Sequence, residues 1–139
     1  MEMKQLIDRL HKEGCSCVIH NDGQTLTFNQ RGVKDLFTLL KERPRLLDGA
    51  MIADKVVGKG AAALMIAGGV SEVYADVISA PALALLHKYE TAISYGECVD
   101  NIINRKGTGI CPVESLCLDC TTADECIPLI ENFITNLNN

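Results

Sequence analysis

The stretch from Ala50 to Tyr95 constrains the fold most, because strand-like and helix-like segments alternate along it and are joined by short links. Three short apolar runs within it are typical of strands: residues 50–53, 72–78 and 91–95. An alanine-rich helical segment that ends at Gly68-Gly69 separates the first two runs, and a segment that begins at Pro81 separates the others. This order predicts a parallel sheet with right-handed crossovers.

The residues ahead of this stretch predict a helix, a β-hairpin and a second helix. The predicted elements are a helix at 3–13, strands at 15–20 and 24–28, a helix at 33–42 and a loop at 45–49. Alternation along the first strand predicts that Cys15, Cys17 and Ile19 share one face of the hairpin. Gly14 ends the first helix and Pro44 the second.

The residues that follow the stretch predict two further helices. Residues 96–106 are polar and predict a short helix or a loop. The run 111–114, Cys-Pro-Val-Glu, is typical of a helix start, with proline in the first helical position. Thr122 and Glu125 form a capping box that predicts the start of the last helix.

Length, charge and hydropathy limit the class of protein. With 139 residues the chain is predicted to form a single domain over 1–139. Its net charge of −5 disfavours a nucleic-acid partner, which requires a basic face. The longest uncharged apolar run, residues 61–70, is too short to cross a bilayer, and no basic and apolar leader opens the chain. We therefore predict a cytoplasmic protein with no nucleic-acid or membrane partner, whose seven cysteines are free thiols or functional groups.

The predicted order of elements resembles that of the cytidine-deaminase-like fold: a helix, a hairpin and then alternating helices and parallel strands. The resemblance implies a three-layer α/β/α domain with a mixed sheet. Zinc deaminases carry His-x-Glu at the start of one helix and Pro-Cys-x-x-Cys at the start of the next. This sequence contains no His-x-Glu, and the cysteine positions after Pro81 are Ala82 and Leu85. The resemblance therefore implies the fold without catalytic zinc.

Three segments carry a closer resemblance: Arg31–Val33, Val57–Ala62 and Thr108–Glu114. Through them, nearly the whole chain resembles an uncharacterised bacterial family assigned to the same superfamily without a zinc motif. The resemblance implies a fold and no reaction.

The start of the alanine-rich helix is a candidate anion site. It is formed by Gly58, Lys59, Gly60 and Ala61. Ligands usually bind at the carboxyl edge of parallel strands, and free amides, the helix dipole and a lysine all favour an anion there. We predict that these four residues bind an anionic small molecule. The alternative is that the glycines permit close packing and the lysine is solvated.

A second candidate site is the helix start at Cys111. Helix amides favour the thiolate form of a cysteine at this position, so we predict that Cys111 is the most reactive thiol. Glu114, one turn later, would accept a proton or cap the helix. Cys111 and Glu114 are therefore the predicted catalytic residues. The alternative is a capping segment with an inert thiol.

The C-terminal cysteines form a third candidate. Cys111, Cys117, Cys120 and Cys126 include one Cys-x2-Cys pair, a spacing found in zinc and iron–sulfur sites. The outer spacings depart from the usual ones, so we assign no metal ligand, and the sequence defines no cofactor.

The leading hypothesis is a small-molecule-binding protein or cysteine-dependent enzyme that takes an anionic ligand at the helix start of residues 58–60. The alternatives are a non-catalytic interaction module that forms a homodimer, and a metal-carrying protein that uses the C-terminal cysteines.

Overall fold

The computed structural model describes residues 2–30 and 32–137, which form a mixed five-stranded sheet with helices on both faces. The elements are α1 (Met3–Glu13), β1 (Cys17–Asn21), β2 (Gln24–Phe28), α2 (Lys34–Glu42), α3 (Pro44–Leu47), β3 (Met51–Val57), α4 (Lys59–Gly68), β4 (Glu72–Ser79), α5 (Ala80–Lys88), β5 (Ala92–Val99), α6 (Pro112–Cys117) and α7 (Ala123–Leu137). The strand order is β2-β1-β3-β4-β5. Pairing is antiparallel from β2 to β3 and parallel from β3 to β5, which confirms the predicted α/β class and the hairpin ahead of parallel strands.

The direction of the two crossovers places α4 and α5 on the same face of the sheet. The chain moves from β3 to β4 and then to β5 without reversing, and right-handed crossovers in one direction put both helices on one side. Helices α2, α6 and α7 pack against α4 in this layer. Helix α1 packs against β1 and β3, where Leu6, Leu10, Val18 and Ala53 form a separate cluster.

Helix α4 lies at the centre of the main core. Ala62, Ala63, Leu64 and Met65 are all completely buried, which accounts for the high alanine content of the segment. A helix without large side chains on most of its faces can lie close to the sheet and to neighbouring helices at once. The left-handed Gly69 ends the helix with a φ of 81°, as the sequence predicts.

The structure corrects the predicted faces of the hairpin. Strand β1 begins only at Cys17, and Cys15 lies ahead of it in the cluster under α1. Cys17 and Ile19 belong instead to the main core. The prediction that all three share a face was wrong, because strand alternation holds only where the residues are in the strand. The turn itself is confirmed: Asp22 and Gly23 both have positive φ.

Two further segments differ from prediction. Residues 45–49 were predicted as a loop, but Pro44 opens the four-residue helix α3. The apolar pattern predicts that the last strand ends at residue 95, but strand β5 continues to Val99. It lies at the edge of the sheet and is largely exposed, so polar residues such as Glu97 do not interrupt it. The homodimer stays a prediction, and the sheet edge is one of the surfaces predicted to serve as its interface.

One predicted feature lies outside the described residues: Arg31, the first residue of a segment that carries the family resemblance. Across residues 2–30 and 32–137, none of the helices combines the length and the apolar character needed to cross a membrane.

Candidate functional site

A cleft of about 1010 Å³ opens beside the carboxyl end of β3. Its walls come from the end of β3, the starts of α2 and α4, the end of α7 and the segment after β5. The apolar lining includes Phe28, Val33, Ile102, Val113, Phe133 and Ile134. The cleft is at the upper end of the size range of small-molecule sites, and it lies where ligands of parallel sheets usually bind.

The start of α4 forms part of the cleft lining. Gly58, Gly60 and Ala61 line the cleft, whereas Lys59 is not among the lining residues. Of the four residues predicted to bind a ligand, three therefore face the space in which a ligand would lie. Their role in binding stays a prediction.

The Glu114 side chain supplies a carboxylate to this helix start from within the chain. Its Oε1 accepts hydrogen bonds from the Lys59 amide at 2.8 Å and from Ser79 Oγ at 2.7 Å. Its Oε2 accepts a hydrogen bond from the Ile102 amide. The side chain is 1% exposed, so these three donors replace the water that the carboxylate loses on burial. At the Lys59 amide, the anion is therefore a carboxylate of the protein itself, and the anionic small molecule stays a prediction.

The same carboxylate connects the starts of two helices. Ser79 Oγ donates to Glu114 and also accepts a hydrogen bond from the Ala82 amide at the start of α5. Helices α4 and α5 thus begin on either side of one hydrogen-bonded unit. Glu114 belongs to α6, so it caps a helix other than its own, an arrangement that the sequence-based alternative of local capping does not anticipate.

The Lys59 side chain is also occupied within the protein. It is 7% exposed, and its ammonium donates to the carbonyl oxygens of Leu118 at 3.0 Å and Cys120 at 2.6 Å. The alternative of a solvated lysine is therefore wrong. The ammonium holds the turn between α6 and α7 against the first turn of α4.

Cys111 lines the cleft and is partly exposed. It is the N-cap residue of α6, as the sequence predicts, and its side chain makes no capping hydrogen bond. The carboxylate of Glu114 is directed to the three donors at the helix starts. The catalytic roles of Cys111 and Glu114 stay predictions.

Asp54 and Cys17 are neighbouring titratable residues in the cleft lining. They are in register across β1 and β3, and both line the cleft. Burial raises the pKa of Asp54 to about 7, with a smaller contribution from the charge of Asp76. Burial also raises the pKa of the Cys17 thiol well above its usual value, and the charge of Asp54 adds to the effect. A protonated Asp54 can donate a hydrogen bond into the cleft near neutral pH.

The raised pKa of Asp54 predicts how stability depends on pH. Between about pH 4 and pH 7 the folded protein holds a proton on Asp54 that the unfolded chain releases. The free energy of unfolding should therefore fall as pH rises through this range. In Asp54→Asn this part of the slope should disappear, whereas Asp8→Asn, on the exposed side of α1, should keep it. Urea titrations at a series of pH values measure the slope, and equal slopes in wild type and Asp54→Asn would contradict the assignment.

The structure brings three of the four C-terminal cysteines together. Cys117 and Cys126 are completely buried, Cys120 is partly exposed, and the Cys126 thiol donates to the Thr122 carbonyl at 3.6 Å. Cys111 lies on the cleft wall, which none of these three lines. Within the described ranges, no group of three or more His, Cys, Asp or Glu side chains could hold a metal ion.

Several residues of the site give little signal in the sequence. Asp54 follows the apolar run 50–53 and reads as the end of a strand, although β3 continues to Val57. Ser79 reads only as the residue before a helix. Arg105 and Lys106, which line the cleft, fall in a segment that predicts a short helix or a loop. The one local feature that could have indicated part of the site was an isolated acidic residue, Asp54, beside an apolar run.

Comparison with known proteins supports the fold. A family model described as TM1506, a domain of unknown function (DUF1893), matches residues 5–134. The crystal structure of a DUF1893 family protein (TM1506) from Thermotoga maritima is similar, with a TM-score of 0.85 and 27% sequence identity. The match covers 94% of this chain and 88% of that chain. A comparison with curated proteins found no match.

Proposed function

This chain belongs to the TM1506 family, a domain of unknown function (DUF1893), and from its cleft we propose that it binds a small molecule with an apolar body and an anionic group. The observation that carries the proposal is the cleft of about 1010 Å³ at the carboxyl end of β3. A cysteine-dependent reaction at Cys111 is the extension of this proposal to catalysis.

The apolar part of the ligand is inferred from the walls. Phe28 comes from the hairpin, Val113 from α6, and Phe133 and Ile134 from the last turns of α7. Apolar side chains from separate elements thus converge on one space. Such convergence is typical of small-molecule sites, in which a few polar groups then fix the orientation of the ligand.

The anionic part is inferred from the charges along the same cleft. Lys34, Lys55, Arg105 and Lys106 all line it. Three acidic residues line it as well: Asp35, Asp54 and Glu114. Burial raises the pKa of Asp54 to about 7 and also raises the pKa of Asp35, whereas the Glu114 carboxylate is held by three hydrogen-bond donors. Basic residues thus outnumber acidic ones in the lining, four to three, whereas the whole chain carries a net charge of −5.

We propose that this chain has the cytidine-deaminase-like fold without a catalytic zinc ion. Zinc deaminases place metal ligands at two successive helix starts. Here the starts of α4 and α5 are both tied to the Glu114 carboxylate, the latter through Ser79. Ala82 and Leu85 offer no metal ligand at the second start. The residues present do not fit a zinc ion, and these contacts support a hydrogen-bonded carboxylate in its place.

Two matched fluorescent probes test the proposal. Anilinonaphthalene sulfonate carries an apolar body and an anionic group, and N-phenyl-1-naphthylamine has a similar body without the charge. We expect the sulfonate to bind with one site per chain and more tightly than the neutral probe. Arg105→Gln with Lys106→Gln should weaken binding of the sulfonate by about tenfold, equivalent to about 1.4 kcal/mol, and leave the neutral probe unchanged.

The matched control is Lys4→Gln with Lys12→Gln, which removes the same charge from the exposed face of α1. It should not change the affinity of either probe. Bound probe should also slow iodoacetamide alkylation of Cys111, on the cleft wall, and not that of Cys98, which is exposed on β5. Equal loss of affinity in the two double variants, or unchanged alkylation of Cys111, would argue against the cleft as the binding site.

A further inference from the structure

Strand β5 forms an open edge of the sheet. It is the last strand in the sheet order, and it pairs with β4 from one end to the other, Ala92–Val99. Across the described ranges 2–30 and 32–137, the backbone of β5 makes no backbone hydrogen bond outside the sheet. The N–H and C=O groups on its outer side are therefore available to another strand.

This edge lacks the features that usually prevent strands from pairing. Proteins commonly protect an edge with a short strand, a bulge, a lysine or a proline. Strand β5 has eight residues, keeps one offset from β4 throughout, and carries Glu97 as its single charge. The residues from Ser94 to Cys98 are all exposed. The charge of Glu97 is therefore the one side-chain feature of β5 that restricts how a second strand can pair with it.

We propose that β5 is a dimer interface, at which two copies of the chain pair their β5 strands antiparallel and join their sheets into one. The two-fold axis is perpendicular to the sheet, because this axis makes the two strands antiparallel and keeps the corresponding faces of the two sheets on the same side. Directly opposed side chains must then lie on one face of the joined sheet, so the axis passes through a residue of β5.

The charge of Glu97 selects the residue on the axis. An axis at Glu97 would place two carboxylates opposite each other. An axis at Tyr95 would place Glu97 opposite Ile93, which packs against the main core. An axis at Gly96 instead places Glu97 opposite Tyr95, whose hydroxyl can donate to a carboxylate. Axes nearer the ends of the strand pair fewer residues, so Gly96 is the favoured position.

The other pairs formed about Gly96 also fit. Ile93 lies opposite Val99, and both are partly exposed, so pairing covers apolar surface of two β-branched residues. Ser94 lies opposite Cys98, two small side chains on the other face. Gly96 lies opposite its own copy, where no side chain stands between the two backbones. Strand β5 is thus complementary to itself in both charge and size, which favours a second copy as the partner.

The interface is separate from the cleft. None of the residues of β5 that the structure describes lines the cleft, so the dimer does not rest on the proposed ligand. Loss of probe binding and loss of the dimer can therefore be measured independently.

Opposite charges at one position test the interface. Tyr95→Glu would place a carboxylate opposite Glu97 of the other copy, twice in each dimer, whereas Tyr95→Lys would place an ammonium there. Sedimentation velocity over a concentration series measures the dimer. We expect wild type to dimerise, Tyr95→Glu to raise the dissociation constant about tenfold or more, and Tyr95→Lys to dimerise at least as tightly as wild type. Tyr95 is 44% exposed, so neither change disturbs the core, and circular dichroism checks the fold.

Cysteine cross-linking tests the position of the axis. Opposed residues have Cα atoms about 4.5–5.5 Å apart, a separation that a disulfide spans. In Ser94→Cys, mild oxidation should therefore link position 94 to Cys98 of the other copy and give a covalent dimer on a non-reducing gel. Within one strand these two positions are about 13 Å apart, so the bond forms only between copies. Combination with Cys98→Ser should abolish it.

Ala92→Cys is the matched control. Position 92 lies opposite Asp100 when the axis is at Gly96, and opposite Cys98 when the axis is at Tyr95. It should therefore give much less covalent dimer than Ser94→Cys. A monomeric wild type, equal weakening by Tyr95→Glu and Tyr95→Lys, or more efficient cross-linking of Ala92→Cys would overturn the proposal.

Discussion

Glu114→Ala should destabilise the protein by about 3–5 kcal/mol, which is a large share of the stability of a domain of this size. The substitution removes the acceptor of three hydrogen bonds, from the Lys59 amide, Ser79 Oγ and the Ile102 amide. The donors would remain buried or partly buried, and an unsatisfied buried donor costs about 1–3 kcal/mol. The loss also separates the starts of α4 and α5, which the carboxylate connects through Ser79.

Glu114→Gln tests the chemistry of the bond at nearly constant size. One side-chain oxygen remains for the Lys59 amide and Ser79, but the new amide group would face the Ile102 amide, donor against donor. We expect a smaller loss, about 1–3 kcal/mol.

Urea unfolding followed by circular dichroism measures the two losses, and amide hydrogen exchange at Lys59 and Ile102 should accelerate in both variants. Glu42→Ala, at an exposed position on α2, is the control and should change stability by less than about 0.5 kcal/mol. If Glu114→Ala is as stable as this control, the carboxylate does not hold the helix starts together.

Gly60→Ala should cost about 1–3 kcal/mol, although alanine is normally the better residue in a helix. A Cβ at this position would lie 2.4 Å from Val113 Cγ1, far inside van der Waals contact, and Ile130 Cδ1 lies 3.5 Å away on another side. Val113 is β-branched and packs in the core, so it cannot turn aside cheaply. Helix α6 would have to move off α4, and the cleft wall that carries Cys111 would move with it.

A double variant with Val113→Ala shows whether this contact is the cause. Removing Cγ1 should relieve the clash, so the loss in the double variant should be smaller than the sum of the two single losses by about 0.5–3 kcal/mol. Gly109→Ala is the matched control, since nothing lies within 4 Å of an added Cβ there, and it should be close to neutral. Additive losses in the double variant would mean that Gly60 is required for another reason.

The sequence by itself determined the order and the ends of most elements. Gly14 ends α1, Gly69 ends α4, and Thr122 caps α7 by accepting a hydrogen bond from the Glu125 amide. Each of these signals acts within a few residues, through backbone dihedral angles or hydrogen bonds to the nearest turn. The alternation of strands and helices also fixed the parallel part of the sheet, because short right-handed crossovers leave one arrangement.

Strand β5 shows that a local sequence pattern does not determine where an edge strand ends. The strand continues through Glu97 and Cys98 because its backbone pairs with β4 up to Ser79 and Val99. An edge position leaves these side chains in water, so the strand needs no apolar residue there. The strand end was set by the partner strand rather than by the residues of β5.

Only the tertiary structure decided what the candidate residues contact. The sequence identified the α4 start and Glu114 separately, but the two are 55 positions apart, and no local pattern indicates that the Glu114 carboxylate accepts a hydrogen bond from the Lys59 amide. The same holds for Lys59 and the carbonyls of Leu118 and Cys120, and for the burial that raises the pKa of Asp54 to about 7. Hydrogen bonds and desolvation depend on which distant segments the sheet brings together. That choice is made by packing around α4, which a local sequence pattern does not encode.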